Sequence, residues 1–186
     1  MTVTQSGDGN NSDADQFRAS TSIMTVTQSG DNNTSDADQF WAGTTSEMTV
    51  KQSGDGNTST SRQQFSASVT MNVTQSGDNN TSNALQSLND MGMMTVTQSG
   101  DGNASTAYQD GPNNTQLVKQ IGDSNTSFTT QTLFTSLSDI TVTQGGSGNS
   151  STATQNFSAN SGATINQSGD NTEGTKKQPR SHIEKK

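Results

Sequence analysis

Residues Gln5–Gln16, QSGDGNNSDADQ, are the first of a series of similar copies that recur along the whole chain, and this repetition determines how the chain folds. Successive copies begin 22 to 24 residues apart, and seven of them are complete. Each complete copy holds the pattern Gln-x-Gly-x-x-Asn-x-Ser-x-x-x-Gln, and an eighth copy keeps its first glutamine and glycine before it breaks off. A constant period in this range is typical of proteins that stack one small structural unit per repeat.

The residues at the fixed positions are the candidate functional residues. We predict that the glutamines and asparagines form stacked ladders in the core: Gln5, Asn10, Gln16, Gln28, Asn33, Gln39, Gln52, Asn57, Gln63, Gln75, Asn80, Gln86, Gln98, Asn103, Gln109, Gln120, Asn125, Gln131, Gln144, Asn149 and Gln155. The turn glycines are Gly7, Gly30, Gly54, Gly77, Gly100, Gly122, Gly146 and Gly169.

Each copy is predicted to run strand, turn, strand, turn. The segment Met1–Gln5 alternates strictly, which is the period of a strand, and a β-branched residue stands two positions before every first glutamine. The third turn position is usually Gly or Asn, as at Gly9 and Asn32, which predicts a left-handed backbone there. The fold class is therefore all-β: a β-solenoid of about 23-residue rungs, with two facing parallel sheets and cross-β stacking.

Stacking explains how so polar a chain folds, since only 24% of it is hydrophobic. Identical residues of neighbouring rungs lie about 4.8 Å apart, so each amide donates to one neighbour and accepts from the other. The predicted core is a narrow slab of Met, Val, Gln, Asn, Ser, Ala and Phe. Trp41, the one tryptophan, is expected to pack between rungs. An apolar residue usually follows each second glutamine: Phe17, Phe40 with Trp41, Phe65, Leu88, Leu133 with Phe134, and Phe157.

Residues 1–172 are predicted to form this solenoid and residues 173–186 a disordered basic tail. Five of the nine basic residues lie in the last eleven positions: Lys176, Lys177, Arg180, Lys185 and Lys186. The net charge of -8 disfavours nucleic acid as a partner. No apolar run approaches the length of a membrane span, and no secretory signal is visible at Met1.

Catalytic, cofactor-binding and metal sites are not expected. The chain has no cysteine, and its one histidine, His182, lies in the basic tail. A column of turn acids, exemplified by Asp8 and Asp31, allows a calcium ladder, but a solvated turn whose Asp bonds its own backbone is favoured. Because stacked like charges repel, assembly is expected to speed up at lower pH or with divalent cations.

The repeat resembles the curlin repeat, whose family comprises the subunits of curli, the extracellular amyloid fibres of bacterial biofilms. The resemblance covers residues 1 to about 171 and implies a β-solenoid subunit that stacks end to end. It also implies a nucleator subunit and an outer-membrane secretion pore as partners, and a location on the bacterial surface. Serine stands where the family more often has alanine, as at Ser12 and Ser35, and seven full copies exceed the five of the best-known members.

Two classes of function follow from these patterns. The first is a self-assembling subunit of an extracellular fibre, in which the first rung adds to the last complete rung, around Val142 and Gln144, of another copy. The second is a monomeric solenoid whose flat Thr-x-Thr face, as at Thr2 and Thr4, acts in ice binding or adhesion. Polymerisation from dilute solution with binding of amyloid dyes would distinguish the first class from the second.

Overall fold

Two parallel sheets face each other in a computed structural model, which describes residues 1–42, 45–132, 135–156 and 159–178. Each copy contributes one strand to each sheet, and we call the two strands of a copy with the turn between them a rung. The first strands of the eight rungs are β1 (Thr2–Ser6), β3 (Ile23–Ser29), β5 (Glu47–Ser53), β7 (Thr70–Ser76), β9 (Met93–Ser99), β11 (Thr115–Ile121), β13 (Asp139–Gly145) and β15 (Gly162–Ser168).

The second strands form the other sheet in the same rung order. They are β2 (Asn11–Phe17), β4 (Thr34–Phe40), β6 (Thr58–Gln64), β8 (Thr81–Ser87), β10 (Ala104–Asp110), β12 (Thr126–Gln131), β14 (Ser150–Gln155) and β16 (Glu173–Gln178). Every strand pairs in parallel with its equivalent one rung away, so Val3 lies beside Val26 and Gln16 beside Gln39. The predicted all-β solenoid with two parallel sheets is therefore confirmed.

The core lies between the two sheets and follows the alternation of each strand. In rungs 2 to 5 the inward residues of the first strands are Met, Val and Gln, and those of the second strands are mostly Ser, a small residue and Gln; all are buried. The outward residues are partly or fully exposed, as the pattern of β3 shows, except Ser87 and Asp110 at the ends of β8 and β10, which are buried. An alternating strand buries one face only, so a slab two side chains thick is the whole core.

Left-handed backbone conformations occur in the turn between the two strands of every rung. The third residue of this turn, which was predicted to be left-handed, has a φ between +54° and +68° in all eight rungs, including Asn32, Ser124 and Asn171. The glycine at the first turn position also has a positive φ, from +93° to +107°. Glycine is needed there for a second reason, since a Cβ at Gly77 would lie 2.4 Å from the carbonyl oxygen of Gly100 in the next rung.

The phenylalanines after the second glutamines lie outside the core, so the predicted place of phenylalanine in the slab was wrong, whereas Trp41 packs between rungs as predicted, against Phe65. Phe17, Phe40, Trp41 and Phe65 all have exposed side chains, and so has Leu88. The residue directly after an inward glutamine faces outward by strand alternation, and Trp41, Phe65 and Leu88 follow at positive φ where the chain leaves the strand. The same prediction for Phe134 and Phe157 falls outside the described residues, and so does Leu133.

The solenoid continues beyond the predicted boundary at residue 172. Strand β16, Glu173–Gln178, pairs along its length with β14 and completes an eighth rung. The seventh rung, predicted to be the last complete one, is consequently covered by the eighth, with Val142 beside Ile165 and Gln144 beside Gln167. The basic composition of residues 173–178 does not indicate a strand, and the strand forms because its backbone pairs with β14. The rest of the predicted tail, 179–186, lies outside the described residues.

Within the described ranges, the fold contains no helix long and apolar enough to cross a membrane.

Candidate functional site: the amide ladders and the two end rungs

A continuous glutamine ladder runs through the first sheet. The side-chain Nε2 of each glutamine donates to Oε1 of its equivalent in the next rung, from Gln5 to Gln28 and on to Gln167, at 2.6 to 2.9 Å. The second hydrogen of Gln28 Nε2 is donated to the backbone carbonyl of Asn11 at 3.0 Å. The buried amides therefore find partners within the protein, which removes a penalty of about 1–3 kcal/mol for each unsatisfied group.

The second sheet carries an equivalent ladder, from Gln16 through seven steps to Gln178. Gln178 was not among the predicted ladder residues, because it lies in the segment predicted as a tail. Its signal was present, since Gln178 stands eleven residues after Gln167, the spacing that separates the two glutamines of every complete copy.

Both ladders have one direction, which makes the two ends of the solenoid different. Every Nε2 points toward the next rung along the chain, so the Oε1 atoms of Gln5 and Gln16 face the N-terminal edge. At the C-terminal edge Gln178 Nε2 donates back to Gly162 O, and Gln167 Nε2 donates to Ser150 O and Thr172 O. A donor edge and an acceptor edge are complementary if two copies meet head to tail.

The asparagines are brought together in a column, but their bonding differs from the predicted amide-to-amide ladder. The backbone N–H of Asn57 donates to Asn33 Oδ1, while Asn57 Nδ2 donates to Gly77 O of the next rung at 2.7 Å. Only from Asn80 onward does the side-chain amide also donate to the previous asparagine. Asparagine is one methylene shorter than glutamine, so its amide reaches the turn backbone and ties successive turns together.

The serine column contains buried hydroxyl groups that have no hydrogen-bond partner among the described residues. They are Ser12, Ser35, Ser82, Ser105, Ser127 and Ser151. In the third rung Ser59 Oγ and Ser61 Oγ lie 3.0 Å apart and bond to each other. An unsatisfied buried hydroxyl opposes folding.

Replacing Ser105 with alanine is therefore expected to stabilise the protein. The change removes a buried, unpaired hydroxyl without adding volume, so the free energy of unfolding should rise by about 1 kcal/mol. Urea unfolding followed by circular dichroism measures it, with Ser59→Ala as the matched control because that hydroxyl is paired. A loss of stability in Ser105→Ala would contradict the assignment.

The turn acids bond to the neighbouring rung, which corrects the expectation that each bonds its own backbone. The backbone N–H of Asp8 donates to Asp31 Oδ1 at 2.8 Å, and the same contact recurs up to Ser147 and Asp170. In-register stacking places the carboxylate of the next rung 2.8 to 2.9 Å from each of these turn nitrogens. Among the described residues, no group of three or more His, Cys, Asp or Glu side chains is arranged to hold a metal ion.

The rung that ends with Asp110 departs from the others. Asp110 takes the position of Phe17 and is buried, and the hydroxyl of Tyr108 donates to its Oδ2 at 3.2 Å. Burial raises the pKa of Asp110 above its ordinary value, against the opposing effect of hydrogen bonds from Tyr108 and the Gly111 N–H. The sequence marked this rung only by its Asp-Gly-Pro triplet.

The Thr-x-Thr pairs form two outward columns on the first sheet, as predicted. Thr2 lies beside Thr25 and Thr4 beside Thr27. Both columns are interrupted, the first by Asn72 and Leu117 and the second by lysine and asparagine residues. This face of the first sheet is therefore a threonine surface interrupted by leucine, asparagine and lysine side chains.

The two end rungs are chemically unlike. The inward residues Met1 and Val3 of the first rung are exposed, so an apolar core cross-section faces the solvent. In the last rung Ala163 stands where most rungs have methionine, and Lys176 takes the inward alanine position beside Ala153. A Cβ at Gly174 would lie 2.8 Å from a methyl group of Ile165, so the last rung closes tightly.

Comparison with known families supports the repeat assignment. A model of the curlin associated repeat matches residues 94–122, which correspond to the fifth rung and the first strand of the sixth. No curated protein sequence matches the chain.

Proposed function

We propose that the chain, in which one segment matches the curlin associated repeat, is the structural subunit of an extracellular, curli-like amyloid fibre, built by head-to-tail stacking of solenoids. The observation that carries the proposal is the unpaired first rung. Strands β1 and β2 pair on one side only, so their other edges offer backbone N–H and C=O groups to a further strand. The direction of the glutamine ladders favours the C-terminal rung of another copy as the partner.

The setting follows from the family. Curlin repeats occur in structural proteins of bacterial surface fibres, which act in cell aggregation and adhesion within biofilms. We extend this to the chain, together with export through an outer-membrane pore and initiation by a nucleator subunit. No enzymatic role is part of the proposal.

Electron microscopy of purified protein after a day at neutral pH, with thioflavin fluorescence in parallel, tests the proposal. Templated stacking predicts unbranched fibres and a lag phase that preformed fibres abolish, because an exposed rung replaces the slow nucleation step. A β-rich sample that stays monomeric and dye-negative would overturn the proposal. The Thr-x-Thr face would then become the leading candidate, as an ice-binding or adhesive surface.

Lys176 is expected to slow this assembly. In a head-to-tail junction its inward side chain would meet Ala14 of the next copy, and an unpaired buried charge costs several kcal/mol. Lys176→Ala should raise the elongation rate from preformed seeds by about tenfold or more, measured by thioflavin fluorescence.

Lys177→Ala is the matched control, because it removes the same charge from an outward position of the same strand. Equal acceleration in both variants would show that net charge, and not the inward lysine, limits elongation.

A further inference from the structure

An exposed aromatic cluster lies on the outer side of the first three rungs. The rings of Phe17 and Phe40 stack at 5.2 Å, and those of Trp41 and Phe65 stack at 6.4 Å. Phe40 contacts both members of the second pair edge to face at 6.0 to 6.1 Å, which joins the four rings into one cluster. Each side chain keeps 40 to 51% of its surface exposed. A contiguous apolar patch of this kind is a mark of an interaction surface.

A groove of about 490 Å³ adjoins the cluster. Phe17 and Phe40 belong to its lining, together with Asp15, Asp38 and Arg62. The groove thus combines flat apolar rings with carboxylates. We call the four aromatic residues together with Asp13, Asp15, Asp36 and Asp38 the acidic–aromatic surface.

The carboxylates of this surface repel one another. Asp13 lies beside Asp36 and Asp15 beside Asp38 in neighbouring strands, and like charges in such positions are destabilising. Burial, and then the nearby charge of Asp38, raise the pKa of Asp36 above its ordinary value. Arg62 neutralises Asp38 through a contact of 2.8 Å. A further cationic partner would relieve the remaining repulsion.

The rings already bind a cation within the chain. The guanidinium of Arg18 lies 4.2 Å from the centre of the Trp41 ring and 5.4 Å from that of Phe17. These distances are typical of cation–π contacts, in which the cation is most often Arg and the most favourable ring is that of Trp. The surface is therefore suited to a basic segment that follows the ring cluster.

We propose that the acidic–aromatic surface binds the basic C-terminal segment, residues 177–186, of a second copy of this chain. The inference rests on the head-to-tail stacking proposed above. In that arrangement β16 of one copy continues the register of the second sheet onto β2 of the next, so Gln178 pairs with Gln16 and Lys177 with Asp15. The chain after Gln178 then starts beside Phe17.

The length and charge of the segment match the surface. Eight residues follow Gln178 in the sequence, and extended they span about 26 Å. Three rungs occupy only about 14 Å, so the segment reaches the whole cluster. It carries Arg180, Lys185 and Lys186 against one acid, Glu184. Charge complementarity therefore favours this occupant in a chain whose net charge is -8.

Fluorescence of Trp41, the only tryptophan of the chain, measures the binding directly. A synthetic peptide of residues 173–186 is titrated into freshly prepared protein before any thioflavin signal rises. The expected result is a saturable change in Trp41 emission that weakens with added salt. A peptide with its five Lys and Arg residues replaced by serine should produce no change.

Matched variants locate the site. Asp13→Asn with Asp15→Asn should weaken binding about three- to tenfold, whereas Asp78→Asn with Asp101→Asn, which removes equal charge from distant turns, should leave it unchanged. Two results would overturn the proposal. One is an unchanged Trp41 emission at about 1 mM peptide, since a dissociation constant above this concentration means negligible affinity. The other is equal weakening of binding in both double variants. The titration needs no fibres, so it fails independently of the proposed function.

Discussion

Gln63→Glu is expected to unfold or strongly destabilise the protein at neutral pH and to regain stability in acid. Gln63 is fully buried; its Nε2 donates to Glu47 O and Gln86 Oε1, each at 3.0 Å, and its Oε1 accepts from Gln39. A glutamate keeps the shape, but its carboxylate offers no hydrogen to the carbonyl of Glu47 or to Gln86. The variant would therefore hold a buried charge against two acceptors, at a cost of about 3–5 kcal/mol.

The pH dependence has a definite sign. Burial and the two facing acceptors raise the pKa of the introduced carboxyl in the folded state above its unfolded value. The folded state therefore binds the proton more tightly, and the lost stability returns as the pH falls through the folded pKa toward the unfolded one. Urea unfolding at several pH values, followed by circular dichroism, measures the effect.

The neighbouring residue provides the control. Gln64→Glu makes the same chemical change one position along β6, where the side chain faces outward and is only partly buried. Its free energy of unfolding should change by no more than about 1 kcal/mol between pH 4 and 7. If both variants behaved alike, the ladder at Gln63 would not be the source of stability.

Gly77→Ala is expected to lower the free energy of unfolding by about 3 kcal/mol or more. The residue has a φ of +94°, which an alanine adopts only with strain, at about 1–2 kcal/mol. The new methyl group would also lie 2.4 Å from Gly100 O and 2.9 Å from a side-chain oxygen of Asp101. Since backbone cannot shift as a side-chain end can, adjacent turns would have to separate. Thermal and urea unfolding report the loss.

Gly162→Ala is the matched control, because a Cβ at Gly162 meets no atom within 4 Å. Its φ lies outside the left-handed region, so alanine is tolerated and the change in stability should stay within about 0.5 kcal/mol. Similar losses in both variants would mean that the close approach of successive turns does not govern stability.

The eighth rung shows that the repeat spacing predicts structure better than local composition does. The interval from Gln167 to Gln178 predicts a strand, whereas the residues between them, including Gly174 and Lys176, do not resemble one. The strand forms because β14 presents an unpaired edge and the ladder glutamine Gln155 accepts Gln178 as a partner. Local composition and backbone pairing disagreed here, and pairing prevailed.

The amino-acid sequence was sufficient to predict the repeat, the number and register of the strands in the complete copies, the inward face of each strand and the left-handed turns. Those features depend on the repeat period and on the alternation of residues along each strand. The remaining features depend on contacts between rungs. The tertiary structure directed the Asn amides to the turn backbone, placed Phe17, Phe40 and Trp41 outside, and made the two ends unequal. These outcomes depend on distances between rungs and on the twist of the chain as it leaves each strand, which no spacing in the sequence specifies.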